Sequence, residues 1–285
     1  MKIVLGLFTT VFIIVTAMFL KLPAGVRFYG YGAIRELMKV HTVMGTWGMN
    51  KISSEHFCVR FLPDKRAEAE MVLEVAEQFY RPVRADFCYS TRGKIPVILY
   101  SSKEELNKSF GWEAKESAMG VYWAGTIRVL SPEVWAGDVD EGQVKDKFIS
   151  SGPMAHELTH LMVDYLTGGN YPRWFTEGVA QYEDYKLTGF VIGDPAASPG
   201  RQLYSMEELG ASFDSLPDQA MAYQESFAAV YYIVQFYGED VLYELIGELG
   251  QGCSLSQAME NVLNLNIMQF EKEWRNHDIF LVSEL

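Results

Sequence analysis

The chain has 285 residues, of which 49% are hydrophobic and 21% are charged, so its composition is that of a globular protein and excludes disordered and collagen-like chains. It carries 24 basic and 37 acidic side chains, a formal net charge of −13. Proteins that bind nucleic acids need a basic surface for the phosphates, so this charge argues against a nucleic-acid partner. The sequence leaves the oligomeric state open.

The first residues, 1–21, are predicted to be a transmembrane anchor or a signal segment. Ile3–Leu20 is an uncharged run of 18 residues between Lys2 and Lys21, near the lower limit of the roughly 17–25 residues that span a bilayer. The run does not end in the small residues that signal peptidases require, which favours an uncleaved anchor over a removed signal; a buried core helix is the third alternative. Basic residues flank both ends of the run, so the positive-inside rule does not fix its orientation. We expect the remaining chain to lie outside the cytoplasm, either anchored to the membrane or exported.

The next segment, residues 22–55, is interpreted as a juxtamembrane connector. It is slightly basic and dotted with glycines. Ile34, Leu37, Met38 and Val43 recur within it at the spacing of an amphipathic helix.

Residues 56–285 are predicted to form one domain with a sheet-rich part, 56–132, and a helical part, 145–285. In the first part, alternation of apolar and polar residues predicts a strand at His56–Phe61, an apolar run predicts a buried strand at Ile95–Tyr100, and helical spacing predicts a surface helix at Asp64–Arg84. A short helix is predicted to start after Ser102, and a hairpin at Gly120–Leu130 is predicted to turn at Ala124-Gly125. Helical periodicity then predicts helices at Pro153–Leu166, Arg173–Leu187, Asp218–Tyr237, Asp240–Leu249, Leu255–Leu263 and Ile267–Phe280. Strands followed by helices are typical of an α+β fold, so we expect a mixed or antiparallel sheet with helices on one side.

The strongest chemical signal is at residues 156–160, which read HELTH, an HExxH motif. Residues four apart on a helix share a face, so His156 and His160 can bind one zinc ion (Zn2+). Glu157 then lies beside the open position of the metal, where it can act as general base for a zinc-activated water.

A catalytic zinc site has three protein ligands and one open position. Glu177 is the candidate third ligand, because it lies on the next predicted helix with 16 residues between it and His160. A helix–loop–helix of this length can return a carboxylate to face the first helix. Apolar residues flank Glu177 on both sides, and an unpaired carboxylate would be costly to bury among them. The alternative is a solvated glutamate on a helix surface.

The HELTH motif and residues 172–182, PRWFTEGVAQY, together resemble the gluzincin metallopeptidases, and most closely the bacterial peptidase MA-like domains with their HExxH…WxxEGxAxY pattern. The resemblance covers about Cys58–Trp274, and its specific part is 152–182. It implies a zincin-like fold with His156, His160 and Glu177 as zinc ligands and Glu157 as general base.

The chain departs from that resemblance at one position. Thermolysin-like members commonly carry a carboxylate four residues after the third ligand, where it orients a histidine. Here Gln181 occupies that place. The partner of the histidines is therefore left open among Asp164, Glu183 and Asp184.

Tyr223 is the candidate donor to the oxyanion that develops during hydrolysis. In gluzincins a tyrosine or histidine from a later helix often has this role, and residues 222–226, AYQES, resemble a recurring AYxxS segment of these domains. The chain has 16 tyrosines, so a core or surface role is the alternative. A peptide substrate commonly adds a strand to an exposed sheet edge, and the predicted hairpin would supply that edge, with Tyr122 and Trp123 near the cleft or in the sheet core.

These observations predict a zinc-dependent metallopeptidase that hydrolyses a peptide or protein substrate and contacts the membrane through its N-terminal segment. The alternative is a non-catalytic, zinc-containing domain that binds peptides, or a membrane-tethered interaction domain. The intact Glu157 favours the enzyme, because a structural zinc site has no need of that carboxylate and usually has a fourth protein ligand.

Overall fold

The computed structural model describes residues 24–111, 118–191 and 203–277, with side chains from Gly30 onward. The predicted transmembrane segment Ile3–Leu20 lies outside these residues, as do residues 278–280 of the predicted helix Ile267–Phe280. In the described part that helix ends earlier than predicted, at Arg275. Within the described part of the chain, no helix combines the length and the apolar character needed to cross a membrane.

Five strands form one mixed sheet in the order β1-β2-β3-β5-β4. The two central pairs, β2 with β3 and β3 with β5, are parallel, and the outer pairs are antiparallel. The strands are β1 (Asn50–Ser53), β2 (Phe57–Phe61), β3 (Ile95–Tyr100), β4 (Gly120–Trp123) and β5 (Thr126–Leu130). The predicted hairpin is confirmed: Ala124 and Gly125 both have positive φ, 45° and 77°, as a two-residue turn between twisted strands requires. The edge strand β4 belongs to this hairpin.

Helices make up most of the remaining chain, so the fold is α+β, as predicted. They are α1 (Ala24–Gly45), α2 (Arg66–Asp86), α3 (Lys103–Phe110), α4 (Pro132–Ala136), α5 (Val144–Ser151), α6 (Met154–Thr167), α7 (Arg173–Thr188), α8 (Met206–Ser212), α9 (Gln219–Tyr237), α10 (Glu239–Gly250), α11 (Leu255–Leu263) and α12 (Ile267–Arg275). Short 3₁₀ turns occur at Glu141–Gln143 and Phe213–Ser215. Ser102 caps α3 as predicted, since its side chain accepts a hydrogen bond from the Glu105 amide.

The hydrophobic core lies between the sheet and helices α2 and α6. Strand β2 turns Phe57, Val59 and Phe61 toward this core, and all three are buried. Helix α2 adds an apolar stripe that includes Val72, Val75 and Phe79. Burial of a large apolar side chain stabilises a protein by about 1.5–3 kcal/mol, so this layer fixes α6 firmly against the sheet.

The expectation that helices cover one side of the sheet was wrong. Arg128 of β5 turns away from the core and donates hydrogen bonds to the Ser109 carbonyl of α3 and to Thr42 of α1, at 2.8 and 3.4 Å. Its guanidinium also lies 4.2 Å from the centre of the Phe110 ring. Helices α1 and α3 therefore cover the second face, and a sheet with two buried faces explains why every residue of β5 is buried.

The predicted connector, residues 22–55, includes regular structure in its described part, residues 24–55. They contain the 22-residue helix α1 and the edge strand β1, which pairs with β2 over four residues. The sequence NKIS of β1 has only one apolar residue, so it lacks the alternation that marks a half-buried strand. The short helices α4, α5 and α8 were missed too, since each spans only one or two turns of helix.

Candidate metal centre

Helix α6 presents the HExxH residues on one side while its other side anchors it in the core. Met154, Leu158 and Leu161 are almost fully buried, and they fix how the helix is rotated about its axis. His156 and His160 are one helical turn apart, and their Nε2 atoms lie 3.1 Å from each other. Two imidazole nitrogens at this distance face a common point.

Helix α7 brings Glu177 to the same point. Its Oε2 atom lies 3.3 Å from His156 Nε2 and 3.5 Å from His160 Nε2. The carboxylate is almost completely buried, with a side-chain exposure of 2%. His156, His160 and Glu177 form a group that could hold a metal ion, as the sequence predicted.

Close packing behind Glu177 holds α7 in place. A Cβ atom on Gly178 would lie only 2.2 Å from the Ser226 carbonyl oxygen of α9, so a side chain does not fit there. Gln181 joins the same two helices, because its amide donates to the Tyr223 carbonyl of α9 at 2.9 Å. The residue that replaces the expected carboxylate therefore connects helices and does not reach a histidine.

Each histidine is held through its second ring nitrogen. His156 Nδ1 lies 2.9 Å from Asp184 Oδ2, and His160 Nδ1 lies 2.8 Å from Thr176 Oγ1. A carboxylate only accepts hydrogen bonds, so His156 Nδ1 carries the hydrogen, and with a metal bound the neutral ring would direct its Nε2 lone pair to the candidate site. Asp184 is thus the partner of His156 among the three carboxylates that the sequence left open.

The other two carboxylates have different partners. Glu183 accepts a hydrogen bond from Tyr243 at 3.0 Å. Asp164 forms an ion pair with Arg35 of α1 at 3.0 Å and accepts hydrogen bonds from tyrosine hydroxyls. Helix periodicity could have selected Asp184, because it lies seven residues after Glu177 and therefore on the same helix face. No comparable signal marks Thr176 among residues 172–182.

The donor set fits a zinc ion in chemistry and in spacing. Two imidazole nitrogens and one carboxylate oxygen are the protein ligands of many catalytic zinc sites. Ligand atoms roughly 2.0–2.1 Å from a tetrahedral zinc lie about 3.3–3.4 Å from one another. The distances here, from 3.1 to 3.5 Å, agree with that spacing.

Charge at the site favours a cation. Burial alone would lower the pKa of His156, but Asp184 and Glu177 outweigh it and hold that pKa well above its usual value. Burial alone would raise the pKa of Glu177, but His160 and Arg173 hold it well below its usual value. The anionic groups around His156 that favour its protonated form would also favour a bound metal ion.

Glu157 lies beside this group, attached to the edge strand. Its Oε2 atom accepts a short hydrogen bond from the Tyr122 amide of β4. Burial is the main cause that raises the pKa of Glu157, and the two histidines partly oppose it. Because the Tyr122 amide points to α6 and not to β5, the free edge of β4 faces the candidate metal centre.

Tyr223 lies near the site, next to Arg173. Arg173 forms an ion pair with Glu177 Oε1 at 2.9 Å and is hydrogen-bonded to Tyr223. Burial, followed by the charge of Glu177, raises the pKa of Tyr223 far above its usual value. The phenol is therefore protonated at neutral pH and available as a donor. Neither Arg173 nor the Tyr122 amide was among the sequence candidates for a site role, because their positions depend on packing between elements.

Fold and site together define a class of protein: an α+β domain in which two packed helices bring an HExxH pair and a glutamate to one candidate metal centre. Residues 94–279 match the model of the Peptidase MA superfamily, and the chain belongs to that superfamily. No curated protein matches the chain. Peptidases of this superfamily are typically metal-dependent, so membership indicates a peptidase-like protein whose substrate would be a peptide or protein.

Proposed function

We propose that the chain is a zinc metallopeptidase of the gluzincin type, which hydrolyses peptide bonds with Glu157 as general base. One observation carries the proposal: His156, His160 and Glu177 converge within 3.5 Å while the carboxyl group of Glu157, which is outside this group of three, lies beside them. A structural zinc site would usually have a fourth protein ligand in place of this arrangement.

Each residue has a distinct role in the proposed reaction. Zinc held by His156, His160 and Glu177 would supply the Lewis acid that activates the attacking water and the substrate carbonyl. Glu157 accepts a proton from that water and delivers it to the leaving amine, and its raised pKa brings it closer to the neutral range in which such a relay works best. The hydrogen bond from the Tyr122 amide holds the Glu157 carboxylate in place.

Tyr223 is proposed to donate a hydrogen bond to the developing oxyanion. Its protonated phenol lies close enough to Glu177 and Glu157 for both charges to act on its pKa. The hydrogen bond from Arg173 orients the ring, since Arg173 is itself paired with Glu177. The substrate is proposed to bind in extended form along the free edge of β4, which faces Glu157.

Residues 3–20 are proposed to anchor the enzyme in a membrane, with the peptidase domain outside the cytoplasm. The basis is the uncharged run of 18 residues between two lysines. Release of the domain in exported form is the alternative.

The experiment is elemental analysis and peptide cleavage by the full chain and three variants. We expect about one zinc per wild-type chain, much weaker zinc binding in His160→Ala and Glu177→Ala, and cleavage of a mixed peptide library by the wild type. Glu157→Gln keeps the ligands but removes the base, so it should retain zinc and lose cleavage.

Three results would contradict the proposal. A folded wild type that takes up no zinc on reloading would exclude the metal centre. A Glu157→Gln variant with wild-type turnover would exclude the assigned base. Zinc binding without cleavage in both proteins would favour the non-catalytic peptide-binding domain instead.

A further inference from the structure

Helix α1 packs on the rest of the protein with its polar side. Tyr31 and Arg35 contact the buried carboxylate of Asp164, at 2.8 and 3.0 Å. The Arg35 guanidinium also lies 3.6 Å from the centre of the Tyr165 ring, and Lys39 donates to the Tyr165 hydroxyl at 3.4 Å. The three side chains of α1 are spaced four residues apart, so they form one face of the helix.

Much of the remaining surface of α1 is apolar and exposed. Among the described residues, eleven large hydrophobic side chains are exposed, and six of them lie on α1 and the turn after it. These six are Ile34 (51% exposed), Leu37 (70%), Met38 (40%), Val40 (53%), Met44 (60%) and Trp47 (78%). We call them the outer face of α1.

This orientation is the reverse of that of an ordinary surface helix. A helix on a water-soluble protein turns its apolar stripe to the core and its charged residues to solvent. Here Arg35 is used for a buried ion pair, and its side chain is only 10% exposed. A contiguous apolar stripe that is left outside in this way marks a contact with another apolar phase or partner.

Three features of the chain favour a lipid bilayer as that phase. The uncharged run Ile3–Leu20 ends only three residues before α1 begins at Ala24, so an anchored chain would have α1 at the membrane surface. Residues 1–54 contain one acidic side chain and six basic ones, five besides the buried Arg35, although the whole chain has a net charge of −13. Excess basic charge near the membrane is attracted to anionic lipid headgroups.

The third feature is Trp47, at the end of the apolar stripe. Tryptophan is enriched at membrane interfaces, because its ring is apolar and its N–H remains a hydrogen-bond donor. Trp47 is the most exposed of the six side chains.

We propose that the outer face of α1 lies on the bilayer surface, with its side chains inserted at the boundary between headgroups and acyl chains. The inference rests on the proposed anchor in residues 3–20 and is independent of the catalytic chemistry. Asp164 lies on α6 one turn beyond His160, so the contacts of Tyr31 and Arg35 with Asp164 would hold α6 at a fixed orientation to the membrane.

The test uses the full chain in nanodiscs of phosphatidylcholine and phosphatidylglycerol. The native cysteines, Cys58, Cys88 and Cys253, are replaced by serine, and a polarity-sensitive fluorophore is attached at Leu37→Cys or Met44→Cys. Met268→Cys is the matched control, because Met268 is an apolar side chain with 77% exposure on a different helix, α12.

We expect blue-shifted emission at positions 37 and 44 and loss of their fluorescence when the lipids carry a spin label near the headgroup. Position 268 should keep its fluorescence and be quenched instead by iodide in the buffer. Iodide quenching of all three positions, without an effect of the labelled lipid, would overturn the proposal.

Other occupants give other results, and each of them also overturns the proposal. A second copy would protect positions 37 and 44 from both quenchers, with two chains in each disc by mass measurement. Folding of residues 3–20 onto α1 would protect them from both quenchers with one chain in each disc. A chain that does not float with lipid vesicles would overturn the anchor as well, whereas zinc content and peptide cleavage would still decide the proposed function separately.

Discussion

The assignment of Asp184 as the residue that orients His156 makes a quantitative prediction. The Asp184 carboxylate is nearly buried and accepts a hydrogen bond from His156 Nδ1 at 2.9 Å. Asp184→Asn keeps an acceptor in place but removes the charge, so it converts a charge-assisted hydrogen bond to a neutral one. The difference between such bonds is about 1.4 kcal/mol, which corresponds to about a tenfold loss of zinc affinity. Asp184→Ala removes the bond altogether and should cost up to about a hundredfold.

Zinc affinity is measured at neutral pH by competition with a chelator of known affinity, together with the thermal stability of each metal-free variant. Glu183→Gln is the matched control, because it also replaces a buried carboxyl group with an amide, one residue earlier. Burial raises the pKa of Glu183 to about 8, so this residue is largely uncharged at neutral pH, and it contacts Tyr243 instead of a histidine. We expect its affinity to stay within about twofold of wild type.

The pH dependence provides a second check on the same reasoning. Asp184 favours both the protonated form of His156 and the metal-bound form. The affinity difference between wild type and Asp184→Asn should therefore become smaller as the pH falls and protons compete with zinc. Equal losses in Asp184→Asn and Glu183→Gln, or an unchanged affinity in Asp184→Asn, would refute the assignment.

Three further predictions concern stability, measured by urea unfolding. Arg35→Ala leaves the buried Asp164 carboxylate with tyrosine hydroxyls as its partners among the described residues, at 2.6 to 3.4 Å, and should lower the free energy of unfolding by about 2–3 kcal/mol. The control Arg66→Ala breaks an exposed ion pair and should lower it by less than about 1 kcal/mol. Equal losses of stability in the two variants would contradict this prediction. Burial raises the pKa of Glu225 to about 7, so the folded state keeps the proton to a higher pH than the unfolded state does. The free energy of unfolding therefore falls as the pH rises from about 4.5 to 7. Glu225→Gln should therefore be more stable than wild type at pH 8, by at most about 3 kcal/mol, and equally stable at pH 4; a constant difference would contradict the cause. Gly178→Ala places a Cβ atom 2.2 Å from a backbone carbonyl and should cost about 1–3 kcal/mol or more, so wild-type stability would show that α7 and α9 separate easily.

The candidate metal centre could be proposed from the sequence because its main elements are local. His156 and His160 are one turn apart on a single helix, so their convergence needs only that the helix forms. The return of Glu177 depends on one short connection between two helices, and both helices have clear periodicity. The strands that alternate, and the hairpin with its Ala124-Gly125 turn, were predictable for the same reason.

The surroundings of the centre depend on how elements pack, and the sequence did not reveal them. Gln181 and Asp184 lie on the same face of α7 as Glu177, and only the approach of α9 decides that Gln181 bonds to a backbone carbonyl while Asp184 reaches His156. The orientation of α1 was equally hidden. Its apolar spacing marks a helix, but the sequence does not say that Arg35 finds a buried carboxylate on α6 and leaves the apolar side outside.

One residue of the edge strand connects the proposed base to the rest of the site. The Tyr122 amide bonds to Glu157, and the Tyr122 hydroxyl bonds to Asp164 at 2.6 Å. These two acids are seven residues apart on the same face of α6, so β4 is attached to α6 at two points that lie two helical turns apart. Asp164 is in turn held by Tyr31 and Arg35. The position of β4 relative to Glu157, which would set where an extended peptide lies above the candidate metal centre, therefore depends on helix α1 as well as on the domain that carries the site.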